Sequence, residues 1–318
     1  MRVLLTGGAG FVGSNLALKM LQDGHEIVAA DNLYLGKLRF LEPCHKFPAF
    51  NFVQADLLDL DNTIKLCRGC DIVIHLAANS DISLGRQKTD LDLQLGYLTT
   101  YNLLEGMRIE NVPEIIFASS SAIYGEADVV PTPESFGPLC PISLYGASKL
   151  AAEGLITAFA HNFGKKAWIF RFGNVIGPNV THGIFYDFVN RLRSDSSKLR
   201  ILGDGRQAKP YIHVTDLISG ILFAHQNSSS EINIFNLATS GNSSVKFIAD
   251  TIVEEMGLNG IPYEFTGTAK GWIGDVAKVA LDVSRLGNLG WKTKLTSDEA
   301  IRLAAKEVVS QFKCGIYS

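Results

Sequence analysis

Short apolar runs alternate with helical patterns through the first half of the chain. Arg2–Thr6, Glu26–Ala30, Asn51–Gln54, Asp71–Leu76 and Glu114–Ala118 are rich in Val and Ile and apolar on both faces. Strands buried inside a parallel sheet look like this. Between them, Ser14–Asp23 and Leu91–Glu110 have the apolar spacing of helices. Strand–helix alternation predicts a doubly wound α/β sheet. A further helix is predicted over Leu144–Asn162, with Leu150, Leu155, Ile156 and Phe159 on its apolar stripe and Gly164 as its stop. The strand Lys166–Phe172 follows. Beyond Asn174 the texture changes, and loops rich in Gly, Pro and Asn (Gly177–Gly183, Gly203–Pro210) separate short elements. The expected division is a sheet domain over 1–173, completed by parts of 210–240 such as the edge strand Ile232–Leu237, and a smaller lobe formed mainly by 174–318.

Composition narrows the class of function. The chain has 318 residues, 47% hydrophobic and 19% charged, which suits a packed core and argues against disorder. With a net charge of -3 and no basic stripe, nucleic acid is not an expected partner. No apolar run is long enough to span a bilayer and no leader pattern is visible, so a cytoplasmic protein without membrane association is expected. Among five cysteines, Cys67 and Cys70 form a lone CxxC. Zinc would need two more ligands, and no second CxxC or HxxxH accompanies the pair, so no metal is expected.

The loop after the first strand reads Thr6-Gly7-Gly8-Ala9-Gly10-Phe11-Val12-Gly13. Glycines 7, 10 and 13 follow a strand and open a helix. One allows a tight turn, one lets the backbone approach a pyrophosphate, and one lets the helix pack closely on the strand. Free N–H groups at the helix start then hold the anion. These features predict a Rossmann-type NAD site. The second strand ends at Asp31-Asn32, roughly 20 residues on, where a carboxylate accepts hydrogen bonds from ribose hydroxyls. It repels a 2′-phosphate and no Arg follows it, so NAD is favoured over NADP. Asp56-Leu57 ends the third strand, where the adenine is expected. Leu76-Ala77-Ala78 ends the fourth, with small residues that admit a cofactor.

Tyr145-Gly-Ala-Ser-Lys149 is a YxxxK, and i and i+4 share a helix face. A free tyrosine has a pKa near 10. A neighbouring cation, with the positive nicotinamide close by, favours the phenolate, which suits Tyr145 to act as general base and acid near neutral pH. Ser119-Ser120-Ser121 ends the fifth strand and Tyr124-Gly125 follows. If that Tyr-Gly pair marks the register, Ser120 takes the catalytic place, with Ser119 and Ser121 as alternatives. Ser143 is a candidate N-cap. His75 and His213 read as structural histidines, and His182 lies in a loop.

Together these residues resemble the extended short-chain dehydrogenases/reductases, and within them the UDP-glucose 4-epimerase-like proteins. The matching stretches are TGGAGFVGS (6–14), ADN (30–32), ADL (55–57), HLAA (75–78), SSSAIYGE (119–126), PISLYGASK (141–149), RFGNVIGP (171–178), GDG (203–205), YIHVTD (211–216) and GWIGDV (271–276). The resemblance implies an NAD-dependent epimerase that oxidises sugar C4, lets the 4-keto sugar turn over, and returns hydride to the other face. It implies cofactor contacts from Phe11, Val12, Ser119, Lys149 and Gly173, and substrate contacts from Ser120, Tyr145, Asn174, His182, Lys209 and Asp275. The implied substrate is a nucleoside-diphosphate sugar, a UDP-hexose. The implied assembly is a homodimer paired through Leu91–Glu110 and Leu144–Asn162. The acidic pair of dehydratase relatives, the glutamate of decarboxylase relatives and the cysteine of 3,5-epimerase relatives are replaced by Ser121-Ala122 and its neighbours. The alternative is another NAD(P)-linked nucleotide-sugar oxidoreductase, such as a 4-ketoreductase, with a dehydratase or decarboxylase behind it. Three positions depart from the common pattern: Leu95-Gly96 for an asparagine pair, Ser80 for a lysine, and Lys209 for an arginine.

Overall fold

The computed structural model describes residues 1–267 and 280–317. The chain begins with β1 (Arg2–Thr6), α1 (Phe11–Gln22), β2 (Glu26–Asp31), β3 (Phe50–Gln54), α2 (Leu60–Cys67) and β4 (Ile72–His75). It continues through α3 (Ile82–Gln87), α4 (Thr99–Ile109), β5 (Glu114–Ser120), α5 (Leu144–Phe163) and β6 (Lys166–Phe172). Then come β7 (Asn174–Ile176), α6 (Ile184–Ser194), β8 (Leu199–Ile201), β9 (Ala208–Lys209), β10 (Tyr211–His213), α7 (Val214–Asn227) and β11 (Ile232–Leu237). The sheet order is β11-β6-β5-β4-β1-β2-β3. The pairings β1–β2, β2–β3, β1–β4 and β4–β5 are parallel. This is the Rossmann-type doubly wound sheet, with Ile232–Leu237 at its edge.

The sheet reverses its strand order between β1 and β4, where Thr6 pairs with His75. A crevice opens outside the carboxyl ends of strands at such a point. On one face of the sheet, Leu4, Val28, Val73, Ile115 and Phe117 pack with Leu103, Met107, Ala152 and Ile156 of α4 and α5. Strand residues apolar on both faces are what let this sheet be covered by helices on each side.

The chain divides into two compact units. The first comprises 1–125, 137–171 and 223–235; the second comprises 126–136, 172–222 and 236–318. Segment 126–136 joins the second unit because Thr132 bridges to Leu281, and Asn236 Nδ2 donates to the Thr132 carbonyl at 2.9 Å. The rest of that unit contains β12 (Ser243–Ser244), α8 (Val245–Glu255), β13 (Tyr263–Phe265), α9 (Ser284–Asn288) and α10 (Ser297–Lys313). Its strands pair only in twos: β7 with β10, β8 with β13, and β9 with β12. Helix α10 starts at a capping box between Thr296 and Glu299, which satisfies two otherwise unpaired N–H groups.

Two local structures differ from the periodicity reading. The Leu91–Glu110 helix contains a π-helical stretch, Leu93–Leu98, ahead of α4. The predicted strand Asp71–Leu76 is shortened to Ile72–His75, although Leu76 N still donates to the Thr6 carbonyl at 3.2 Å.

Candidate active site

The glycine loop is built for contact with its own backbone. Gly7 has φ of +70°, and a Cβ there would lie 2.8 Å from the Ala77 nitrogen. A Cβ on Gly13 would lie 2.1 Å from the Gly7 carbonyl oxygen, and one on Gly10 3.1 Å from it. Gly7 N donates to the Ala30 carbonyl at 2.8 Å and Gly10 N to that of Gly7 at 3.1 Å, fixing the turn. Helix α1 begins after Gly10 with no side chain capping it. Its first N–H groups, at Phe11, Val12 and Gly13, are therefore left for an anion.

Asp31 stands over this loop. Its carboxylate accepts from Ala9 N at 3.0 Å and from Leu33 N at 2.8 Å. Burial pushes its pKa up, and the two backbone hydrogen bonds pull it back down. Asn32 accepts from Tyr34 N. Asp56 closes its own turn by accepting from Leu58 N at 2.9 Å, while the Leu57 side chain belongs to the core. Leu76-Ala77-Ala78 runs beside Gly7, as the short Gly7–Ala77 approach requires.

The YxxxK falls on α5, whose N-cap is Ser143, accepting from Gly146 N at 3.0 Å. Ser120 stands beside the Tyr145 phenol and acts on its pKa. Ser119 donates to Glu153, two turns further along α5. Ser121 starts the short 3-10 turn Ser121–Tyr124, and Ser120 Oγ accepts from Ala122 N at 3.2 Å. Burial pushes the Tyr145 phenol up to about 12; the nearby Ser120 hydroxyl opposes this and the Asp92 charge adds to it.

Lys149 is only 2% exposed. Its Nζ donates to the Ala118 carbonyl at 2.6 Å and lies 4.7 Å from the Phe117 ring centroid and 5.8 Å from that of Tyr145. Burial pulls its pKa down to about 8, against the opposing charges of Glu153 and Asp92. Burial of both groups thus opposes the phenolate that neighbouring positive charge favours.

The remaining substrate candidates belong to the second unit. Asn174 opens β7 and donates from Nδ2 to the Pro210 carbonyl at 3.2 Å. Gly173 N donates to the Leu237 carbonyl at 3.0 Å. Lys209 is half-buried in β9. His182 exchanges a hydrogen bond with Thr181 at 3.0 Å. His213 is buried, with Nε2 at 2.9 Å from Glu307. Asp275 and the GWIGDV stretch lie outside the described residues.

Residues 3–238 match the model of the NAD dependent epimerase/dehydratase family. The chain belongs to this family. It is 31% identical to a UDP-glucose 4-epimerase of Corynebacterium glutamicum, over 93% of this chain and 92% of the relative. It superposes on a solved UDP-galactose 4-epimerase with a TM-score of 0.87 at 33% identity, covering 98% of this chain and 99% of the other. It also superposes on the UDP-glucose 4-epimerase of Thermus thermophilus in complex with NAD, with a TM-score of 0.84 at 29% identity, covering 96% and 98%.

The cofactor of this family is NAD, and the residues here fit it. The cradle at Gly7, Gly10 and Gly13 has no room for a side chain, the start of α1 is uncapped, and Asp31 stands at the end of β2. A Cβ on Gly96, where the family's common asparagine stands, would lie 2.6 Å from Ser148 Oγ, so a side chain there would require Ser148 to shift. Ser80 is exposed in the turn after β4.

Two features escaped the sequence reading. Asp92 is buried and accepts from Asn79 Nδ2 at 3.0 Å, while its second oxygen has no hydrogen-bond partner. Glu153 and Arg171 form a buried ion pair beneath Ser119. The spacing of Glu153, four residues past Lys149 on the same helix face, was the available signal. The Cys67 and Cys70 thiols are free and buried, with pKa values raised to about 12 and about 11 by burial. Among the described residues, no group of three or more His, Cys, Asp or Glu could hold a metal ion.

Proposed function

We propose that this chain is a nucleotide-sugar 4-epimerase that interconverts UDP-hexoses such as UDP-glucose and UDP-galactose. The carrying observation is Ser120 beside the Tyr145 phenol at the start of α5, with a buried Lys149 one turn further on, while Ser121-Ala122 supplies no further acid or base. Loss of water or CO2 needs such an extra group beside the tyrosine; plain oxidation and re-reduction at C4 does not.

In this mechanism Ser120 holds the C4 hydroxyl and Tyr145 takes its proton. NAD, when bound, supplies the hydride acceptor and donor and a positive nicotinamide that favours the phenolate. Lys149 stabilises that phenolate and binds the nicotinamide ribose. Tyr145 then returns the proton after the 4-keto sugar has turned over. Asp31 and Asn32 hold the adenosine ribose, Asp56 and Leu57 flank the adenine, and Ser119 and Gly173 complete the cofactor contacts. Asn174 and Lys209 bind the diphosphate, Asp275 the nucleotide ribose, and His182 lies by the base. Release of the C4 epimer without net change of NAD tests this, since a 4-ketoreductase would consume reduced cofactor.

The assembly we propose is a homodimer. Leu93, Leu98 and Tyr101 are exposed on the α4 side, and Leu144 and Phe163 on α5. A groove of about 590 Å³ on α5 is lined by Leu150, Gly154, Thr157, Ala158 and His161. Exposed apolar surface of this kind along two neighbouring helices suits a second copy. No helix among the described residues is long and apolar enough to cross a membrane. We place the protein in the cytoplasm, where a reducing environment keeps free cysteines as thiols.

A further inference from the structure

The mechanism above makes no use of the most elaborate polar cluster in the first unit. Arg171 on β6 grips Glu153 on α5 with both arms, Nε to Oε1 at 3.1 Å and Nη2 to Oε2 at 2.8 Å. The two side chains are 5% and 7% exposed. Arg171 Nη1 also donates to the Tyr124 hydroxyl at 3.0 Å, and Ser119 Oγ donates to Glu153 Oε1. The pair thereby ties down the residue immediately before Ser120 and the last residue of the turn that follows it.

Fold stability is a weak reason for such a pair. Burying two charges costs several kcal/mol per ion, and apolar residues of similar size often serve as well. The location suggests another use. Glu153 follows Lys149 by one helical turn and Tyr145 by two. Other groups around Lys149 are few. Asp92 acts on it from the segment before α4. His75 on β4 feels its charge but is itself held neutral down to about pH 3 by burial. β5 offers the Ala118 carbonyl and the Phe117 ring. Together with Asp92, Glu153 is a carboxylate that offsets the burial of Lys149, and it is the one built into a rigid fork.

We infer that Glu153 and Arg171 are positioning residues for the reaction: through Ser119 and Tyr124 the pair fixes Ser120 beside Tyr145. This rests on the catalytic assignment of Ser120, Tyr145 and Lys149 made above.

Removing one partner would leave a bare buried charge, so the test removes both. In the double variant Glu153→Gln, Arg171→Met, kcat should fall about tenfold, while bound NAD and the KM for nucleotide sugar stay unchanged. The single variant Ser119→Ala keeps the ion pair and cuts its link to the strand, and its kcat should fall by about the same factor. Wild-type kcat in either variant, or a loss of NAD or rise in KM that accounts for the whole defect, overturns the inference. A wild-type protein that binds NAD but epimerises no nucleotide sugar would instead overturn the catalytic reading on which it rests.

Discussion

Gly13 lies so close to Gly7 that a Cβ on Gly13 would stand 2.1 Å from the Gly7 carbonyl oxygen. The first turn of α1 is thus seated directly on the loop it follows, and the N–H groups offered to the cofactor are aimed by that contact. Gly13→Ala should lift α1 off the loop. We expect loss of about 1–3 kcal/mol of stability from overpacking and loss of the co-purified nucleotide. Thermal unfolding and the absorbance of nucleotide released on denaturation check both. Full NAD occupancy in this variant would mean the loop does not aim the helix at the cofactor.

Tyr145 and Ser120 stand side by side in the site. Tyr145→Phe should lower kcat by about 10²–10⁴-fold, the usual worth of a positioned acid–base group, with NAD still bound. Ser120→Ala should cost less, because the phenol keeps its place on α5. Steady-state kinetics on the two variants, set beside their NAD content, separates a chemical defect from a folding defect.

His75 gives the fold an acid-sensitive core. Its ring is buried between Thr6, at 2.7 Å from Nδ1, and Thr100, at 3.0 Å from Nε2. Burial pulls its pKa down to about 3, with the Lys149 charge adding to the effect. The unfolded chain takes up this proton near the ordinary value of 6.5, so protonation favours unfolding. The neutral ring's contribution is complete above about pH 6.5 and is lost progressively as pH falls toward 3, at up to about 1.4 kcal/mol per pH unit. Urea midpoints for wild type and His75→Asn should therefore converge between pH 7 and pH 5. Parallel midpoints would show that the ring does not titrate with unfolding.

The exposed face of α5 makes a prediction about assembly. Ala158 lines the groove at the helix surface and is itself exposed. Ala158→Arg should bury a charge without a partner in any dimer formed there, and dissociate it. Sedimentation at micromolar concentration should read a dimer for wild type and a monomer for the variant. A variant that remains dimeric would place the interface elsewhere.

How much of this was legible in the sequence depended on how local each requirement is. The glycine loop and the sheet could be read because turn, strand and helix needs are met by neighbours in the chain. The YxxxK could be read because i and i+4 share a face on any helix. The choice among Ser119, Ser120 and Ser121 turned on strand register, which composition does not carry; the structure sends Ser119 to Glu153 and leaves Ser120 beside the Tyr145 phenol. The Glu153–Arg171 fork was hidden because it joins residues from two elements through side-chain packing alone. The π-helical stretch at Leu93–Leu98 was hidden because apolar spacing over six residues does not separate it from an α-helix. The desolvation that opposes the phenolate was hidden because it depends on how deeply the fold buries both groups.

The most direct test of the central claim is to incubate the purified protein with UDP-glucose, without added nicotinamide cofactor, and follow the sugar by NMR. Appearance of UDP-galactose, with bound NAD unchanged in amount and oxidation state, is the predicted result. Bound NAD with no C4 epimer from UDP-glucose, UDP-galactose or their N-acetyl forms, and turnover only when reduced cofactor is supplied, would contradict it.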